Sequence, residues 1–139
     1  MMAVTKREPE MVDIRYSNPP TVRTPAARYS MAVEITGAER RLVISGQVGM
    51  AVDGTIAATP EGQVAQIFAN LTAILAAHGM NAGNVVCTRI YVTDRIVLPA
   101  FRAARDAYFA QAAPASTLLI VSGLADPTFL IEIEAEAVG

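Results

Sequence analysis

Apolar residues in the middle of the chain recur at the spacing of an amphipathic helix. The stripe consists of Val64, Ile67, Phe68, Leu71, Ile74 and Leu75, whereas Gln63, Gln66 and Asn70 fall outside it. Thr59 is a typical N-cap, Pro60 suits the first helical position, and Gly79 suits the residue after a helix. The pattern therefore predicts a helix between these marks that packs by one face.

A shorter apolar stripe predicts a second helix over roughly residues 98–112. Its members are Phe101, Ala104, Ala107 and Tyr108. Pro114 follows, and the residue before a proline disfavours helical geometry, so the helix is expected to end before it.

Strands are predicted where β-branched or alternating segments lie between turn signals. Residues 30–35 and 41–45 are expected to form one hairpin, and residues 117–122 and 129–137 a closing one. A third short strand is expected over residues 48–52, before the tight-turn pair Asp53-Gly54. Residues 85–92 are rich in valine and are expected to form a central strand.

These elements predict one α+β domain over residues 28–139, with the order β-β-β-α-β-α-β-β. Residues 1–27 contain four prolines and no periodicity, so a partly ordered N-terminal leader is expected there. Each helix has a single apolar stripe, so both helices are expected to cover the same face of a mixed sheet.

The last strand alternates apolar residues with Glu132, Glu134 and Glu136. Three carboxylates should therefore share the sheet face that the helices leave bare. Arg89 has the same parity as Cys87 and Tyr91, and it is positioned to pair with these glutamates if that face lies between subunits.

Composition favours association with further copies and disfavours several kinds of partner. The chain is 53% hydrophobic and only 17% charged, so we expect part of its apolar surface to be covered by another subunit. Its net charge is −2 and its basic residues are scattered, which argues against nucleic acid as a partner. The apolar runs are shorter than the roughly 20 residues of a membrane span, so no membrane partner is expected.

The single cysteine, Cys87, excludes an intramolecular disulfide and any multi-cysteine metal site. It lies within a predicted strand, where packing is favoured over catalysis. A cytoplasmic location fits this cysteine usage, and no metal site is expected. The only histidine, His78, lies in the last turn of the first helix and is interpreted as structural.

Four residues at three places in the chain are candidates for chemistry, and each place has a plain structural alternative. Glu132 is the candidate acid-base group, and the alternative is a solvated strand face. Ser45 and Gly46 follow an apolar strand, where they either present backbone N–H groups to a ligand or form a bulge. Arg105, beside Asp106, is either a surface residue or points from its helix into a cleft.

The chain resembles the RidA/YjgF family of reactive-intermediate deaminases from about residue 29 to residue 137. The motifs, in order, are Leu42-Val-Ile-Ser-Gly-Gln-Val48, residues 66–75 with Asn70-Leu71, Asn84-Val-Val86 with Ile90-Tyr-Val-Thr-Asp94, Pro114-Ala-Ser-Thr117, and Ile131-Glu-Ile-Glu-Ala135. The resemblance implies a chorismate-mutase-like α+β fold with a mixed sheet of five to six strands. It also implies a homotrimer with a small-molecule ligand cleft at each subunit interface.

The resemblance further implies hydrolysis of enamines or imines to a carbonyl compound and ammonia, without metal or organic cofactor. By motif matching, Tyr29, Ser45 and Gly46 would shape the pocket and Glu132 would position water or relay a proton. The family's Pro-x-Arg-Ser arginine, which would hold a substrate carboxylate, is replaced here by Ser116. Arg105 stands where many members carry an asparagine that lines the same cleft.

The arginine's replacement by Ser116 leaves two functions open. The first is an enamine or imine hydrolase with an altered substrate, since loss of the arginine argues against 2-aminoacrylate. The second is a non-catalytic trimer that binds a metabolite. An endoribonuclease ranks third, because basic patches and stacking aromatics are lacking.

Overall fold

The computed structural model describes residues 11–139, so the first ten residues of the predicted leader lie outside the described part. The described part contains six strands and two α-helices. In chain order they are β1 Asp13–Ser17, β2 Ala32–Thr36, β3 Arg41–Val48, α1 Pro60–Ala77, β4 Val85–Val92, α2 Leu98–Phe109, β5 Ala115–Ile120 and β6 Ile131–Val138. The predicted α+β class is confirmed, whereas the three strands before α1 differ from the predicted ones, because β1 lies in the predicted leader.

The six strands form two hydrogen-bonded sheets. One sheet has four strands in the order β3-β6-β4-β5, and the other pairs β1 with β2. Strand β6 runs antiparallel to both β3 and β4, whereas β4 and β5 are parallel and are joined through α2. The predicted central position of residues 85–92 is therefore confirmed, and the larger sheet is mixed, as predicted.

Both predicted hairpins are wrong, because turn signals predict chain reversal but not strand pairing. Strand β2 pairs with β1, which lies within the predicted leader, instead of with β3. Strand β6 inserts between β3 and β4 instead of pairing with β5. The end of β6 reaches the turn before β3, where the Gly139 carbonyl accepts hydrogen bonds from the N–H groups of Glu39 and Arg40, at 3.0 and 2.9 Å.

The predicted third short strand is also wrong. Strand β3 continues to Val48, and beyond it a single bridge joins Met50 to Ile56. The tight turn itself is confirmed. Gly54 has a φ of +86°, and the Asp53 carboxylate accepts a hydrogen bond from the Thr55 N–H at 2.9 Å.

Helix α1 has the predicted ends. The Thr59 hydroxyl accepts a hydrogen bond from the Gly62 N–H at 3.0 Å, and Gly79 has a φ of +68° after the last turn. Helix α2 begins at Leu98 as predicted but ends at Phe109, three residues before the predicted end. Ala107, predicted to lie on its apolar stripe, is exposed, and Phe109 is buried.

The core lies between the two helices and one face of the larger sheet. Along β6, Ile131, Ile133, Ala135 and Ala137 are buried against the helices, as the alternation predicts. Between the helices, the Phe68 ring lies 4.6 Å from that of Tyr108 and 6.1 Å from that of Phe109. The opposite face of this sheet, which carries Arg89 and Tyr91 on β4 and Glu132, Glu134 and Glu136 on β6, is called the open face below.

Gln63 belongs to the core, although its polarity placed it outside the predicted stripe. Its side chain is only 1% exposed, and its amide nitrogen donates to the carbonyls of Ala57 and Thr128, at 2.9 and 2.8 Å. Its amide oxygen accepts from the Leu130 N–H at 2.8 Å. Gly49 allows this close approach, because a Cβ there would lie 2.6 Å from the Gln63 Cβ. One amide on α1 is therefore bonded to two other backbone segments, at Ala57 and at Thr128–Leu130.

Replacing Gln63 by leucine should destabilise the fold, because it leaves the partly buried backbone groups of Ala57, Thr128 and Leu130 without their partner. We expect a loss of about 1–3 kcal/mol in the free energy of unfolding, measured by urea denaturation. The control is Gln111→Leu at an exposed position. Equal unfolding midpoints for the two variants would show that the buried amide does not hold the segments.

Candidate functional site

The open face carries a network of opposite charges along β6 and β4. Arg89 lies 3.6 Å from the Glu134 carboxylate and 3.5 Å from that of Glu136. Arg41, on the other neighbouring strand, donates to Glu136 at 2.9 Å. The predicted pairing of Arg89 with the glutamates is therefore confirmed within one chain.

This network orders the open face more than it stabilises the monomer. The Arg89 and Glu134 side chains are 39% and 35% exposed, so solvent screening limits each pair to at most about 1 kcal/mol. The Tyr91 hydroxyl donates to Glu134 at 2.9 Å, and this hydrogen bond raises the pKa of the phenol. Tyr91 thus stays protonated as a donor at neutral pH.

Glu132 extends from the same face, beside an irregularity in β3. The register between β3 and β6 shifts between Ile44 and Gln47, so Ser45 and Gly46 form a bulge. A Cβ at Gly46 would lie 2.7 Å from the Glu132 Cδ, so the carboxylate packs directly over the glycine. Ser45, Gly46 and Glu132 are therefore together, and the bulge expected at Ser45-Gly46 is present, whereas its presentation of N–H groups to a ligand stays a prediction.

The other three predicted site residues line one cavity of about 290 Å³ between α2 and the outer edge of β5. Tyr29, Arg105 and Ser116 contribute to its wall, together with Ala26, Ala27, Phe101, Arg102 and Leu118. Ser30 forms a parallel bridge with Ala115, which places Tyr29 beside the start of β5. The cavity is of the size that holds small ligands.

Arg105 points into this cavity from α2 and is not a surface residue. Its side chain is only 11% exposed, and its Nε donates to the Asp106 carboxylate at 3.0 Å. Its guanidinium carbon lies 5.4 Å from the centre of the Phe101 ring, a cation–π geometry that fixes the side chain. A positive charge is thus held at the wall of this open cavity.

Ser116 lies on the opposite side of the sheet from Glu132. It is next to Thr88 on β4, whose hydroxyl is 3.2 Å from the Ser116 hydroxyl, and Thr88 is buried on the helix side. Glu132 pairs in register with Tyr91, which has the other parity on β4. Within one chain, Tyr29, Arg105 and Ser116 therefore form one group, and Ser45, Gly46 and Glu132 form another on the other face.

Sequence reasoning missed two basic residues next to Arg105. Arg28 and Arg102 line an adjoining cavity of about 520 Å³ with Arg105 and Asp106. The spacing of Arg102 and Arg105, three residues apart on a helix, places them on one side and was a usable signal. Arg28 follows a segment without regular secondary structure, so no periodic pattern predicts where its side chain points.

Other expectations concern residues outside these groups. His78 ends α1, as predicted, and its carbonyl accepts a hydrogen bond from Arg40 at 2.8 Å. Among residues 11–139 no three His, Cys, Asp or Glu side chains are grouped as metal ligands would be. In that same part of the chain, neither helix is long and apolar enough to cross a membrane.

Comparison with known proteins identifies relatives in sequence and fold. The family model described as endoribonuclease L-PSP matches residues 21–139. A RutC family protein of Aquifex aeolicus (strain VF5) is 41% identical over 76 residues, which cover 54% of this chain and 58% of that protein. The match thus spans little more than half the length of that relative.

Two solved structures extend the likeness over nearly the whole chain. A protein of unknown function of the conserved Rid protein family from Yersinia pestis is 34% identical, with a TM-score of 0.81 over 90% of this chain and 98% of that one. A member of the YjgF/YER057c/UK114 family from Mycobacterium tuberculosis is 26% identical, with a TM-score of 0.65 over 93% and 100% of the two chains.

The thiol of Cys87 should react slowly with disulfide reagents. Burial raises its pKa, and Glu136 and Glu134 raise it further against the opposing effect of Arg89, so little thiolate is present at pH 8. We expect the folded protein to react with Ellman's reagent several-fold more slowly than glutathione does, and the urea-unfolded protein to recover the glutathione rate. A folded protein as fast as glutathione would contradict this account of the open face.

Proposed function

This chain belongs to the RidA/YjgF family, and we propose that it hydrolyses the enamine or imine form of a small acid to a carbonyl compound and ammonia. One observation carries the proposal. Arg105 and Ser116 line the same cavity, so the cation that is missing at Ser116 is supplied from α2. An arginine offers paired donors to a carboxylate, which a serine hydroxyl cannot do.

The arginine's new position changes which acids fit. A carboxylate held by Arg105 would approach from the α2 side of the cavity, whereas an arginine at the position of Ser116 would hold it from β5. This supports an altered substrate in place of 2-aminoacrylate. Tyr29 and Phe101 form the walls of the cavity beside the proposed carboxylate position.

Glu132 is proposed as the group that activates water. As the water oxygen bonds to the imine carbon, Glu132 accepts a proton from it and returns one to the nitrogen. In the resulting carbinolamine Glu132 accepts the hydroxyl proton and passes it to the nitrogen, the C–N bond breaks with its electron pair going to nitrogen, and ammonia leaves as the C=O bond forms. Gly46 supports this role, because its missing Cβ leaves space for the carboxylate.

The proposed site needs two copies of the chain, because Glu132 and Arg105 lie on opposite sides of one sheet. We propose that a homotrimer brings the Ser45, Gly46 and Glu132 group of one copy against the cavity of the next. The open face supports this assembly, since exposed Val43 and Leu119 flank its ion-pair network.

Binding without turnover is the second candidate, and Ser116 is the observation that favours it. In that case the trimer takes up an acidic metabolite through Arg105 and Glu132 has no chemical role. We also propose a cytoplasmic location, which fits a single cysteine. Ribonuclease activity ranks behind both, because the net charge of −2 gives little attraction for RNA.

Coupled deaminase assays on enzymatically generated 2-imino acids test the proposal. We expect turnover by the wild type, and a loss of about 100-fold or more in kcat/KM for Glu132→Gln, because the amide cannot accept the proton. The control is Glu39→Gln, which removes an exposed carboxylate elsewhere.

Two results would contradict the deaminase proposal. Unchanged activity of Glu132→Gln would remove the water-activating role. Absence of turnover on every imino acid, with acid binding retained and the oligomer intact by light scattering, would favour the binding function instead.

A further inference from the structure

The two cavities beside α2 share part of their walls and hold an excess of positive charge. Ala26, Ala27, Arg102 and Arg105 line both. Around the larger cavity stand three arginines, Arg28, Arg102 and Arg105, against the single carboxylate of Asp106. The chain as a whole carries a net charge of −2, so this concentration of cations is local.

Contacts with other groups of the protein engage only part of this positive charge. Asp106 engages Arg105 through its Nε, and Arg28 donates through Nη2 to the carbonyl of Ala110 at the end of α2. Arg102 is exposed and forms no ion pair with any residue between 11 and 139. Like charges three residues apart on a helix repel each other, so Arg102 and Arg105 together favour an anion between them.

We infer that the ligand carries two anionic groups, one held by Arg105 in the smaller cavity and the second by Arg28 and Arg102 in the larger one. This inference rests on the proposed function, because it defines the substrate class of the same site. The shared chemistry is a small dianion, either a dicarboxylic acid or a phosphorylated acid. Guanidinium groups recognise both carboxylate and phosphate through paired donors.

The segment before Tyr29 contributes to the walls of both cavities. Ala26 and Ala27 line both, and Pro25 and Arg28 line the larger one. Arg28 is attached to α2 through Ala110, which fixes this wall against the helix that carries the other two arginines. The second anion site is therefore built from two chain segments and not from one helix face.

Matched pairs of acids test the inference by isothermal titration calorimetry on the full chain. Butyrate and succinate have the same number of carbons and differ in the second carboxylate, and glycolate and 2-phosphoglycolate differ in the phosphate. We expect at least one dianion to bind about tenfold or more tightly than its partner. The pair of acids with the larger affinity ratio identifies the ligand's second anionic group as a carboxylate or a phosphate.

Variants assign the preference to the named arginines. Arg102→Gln and Arg28→Gln should each reduce the ratio of dianion to monoanion affinity several-fold. Arg28→Lys should keep much of that ratio, because the positive charge remains. Arg95→Gln removes an exposed charge outside both cavities and should leave the ratio unchanged. Arg102 is exposed, so its replacement keeps the test valid even if Arg28→Gln fails to fold.

Failure of this inference is distinguishable from failure of the proposed function. Equal binding of the monoanion and dianion in both pairs, or ratios unchanged in Arg102→Gln, would overturn the second anion site while imino-acid turnover stands. No binding of any of the four acids would overturn it as well. Turnover is measured separately and decides the deaminase role.

Discussion

The alternation along β6 is the constraint on which the rest of the molecule depends. Its buried residues, Ile131 to Ala137 at every second position, attach the larger sheet to α1 and α2. The residues between them place carboxylates on the open face, where β3 and β4 supply the arginines that balance them. A shift of one residue would bury three carboxylates and expose the core, so the register is strongly specified.

That register also separates the chemistry of the chain into two halves. Glu132 is confined to the open face beside the Ser45-Gly46 bulge, whereas Arg105 and Ser116 belong to the helix side. Neither half holds both an acid-base group and a buried cation. The proposed hydrolysis would therefore need two copies of the chain, one for Glu132 and one for Arg105, which is why we propose a site shared between subunits.

Local signals in the sequence predicted the elements well, and long-range pairing poorly. The caps of α1, the start of α2 and the strand of residues 85–92 follow from short-range chemistry, and the structure agrees. The two hairpins failed because β1 and β6 compete for partners that no turn residue specifies. Strand β1 alternates polar and apolar residues from Asp13 to Ser17, but this run is short and lies in a segment with four prolines, so the sequence analysis assigned it to the leader.

The candidate site was predictable where a residue's role follows from its strand parity or its helix position. Strand parity placed Glu132 on the same face as Glu134 and Arg89. Helix position alone did not decide whether Arg105 lies at the surface or in a cleft. The burial of Gln63 and the closeness of Arg28 to α2 depend on contacts between segments far apart in sequence. Such contacts leave no periodic trace, so only the structure reveals them.

Subunit mixing tests the shared site most directly. Glu132→Gln and Arg105→Gln chains, each inactive alone, are unfolded together and refolded, and imino-acid turnover is compared with that of each parent at equal oligomer content. If Glu132 of one copy acts on a ligand held by Arg105 of the next, random mixing in a cyclic trimer should restore about a quarter of wild-type activity. Activity no greater than that of the parents, with mixed oligomers demonstrated, would contradict a site shared between copies.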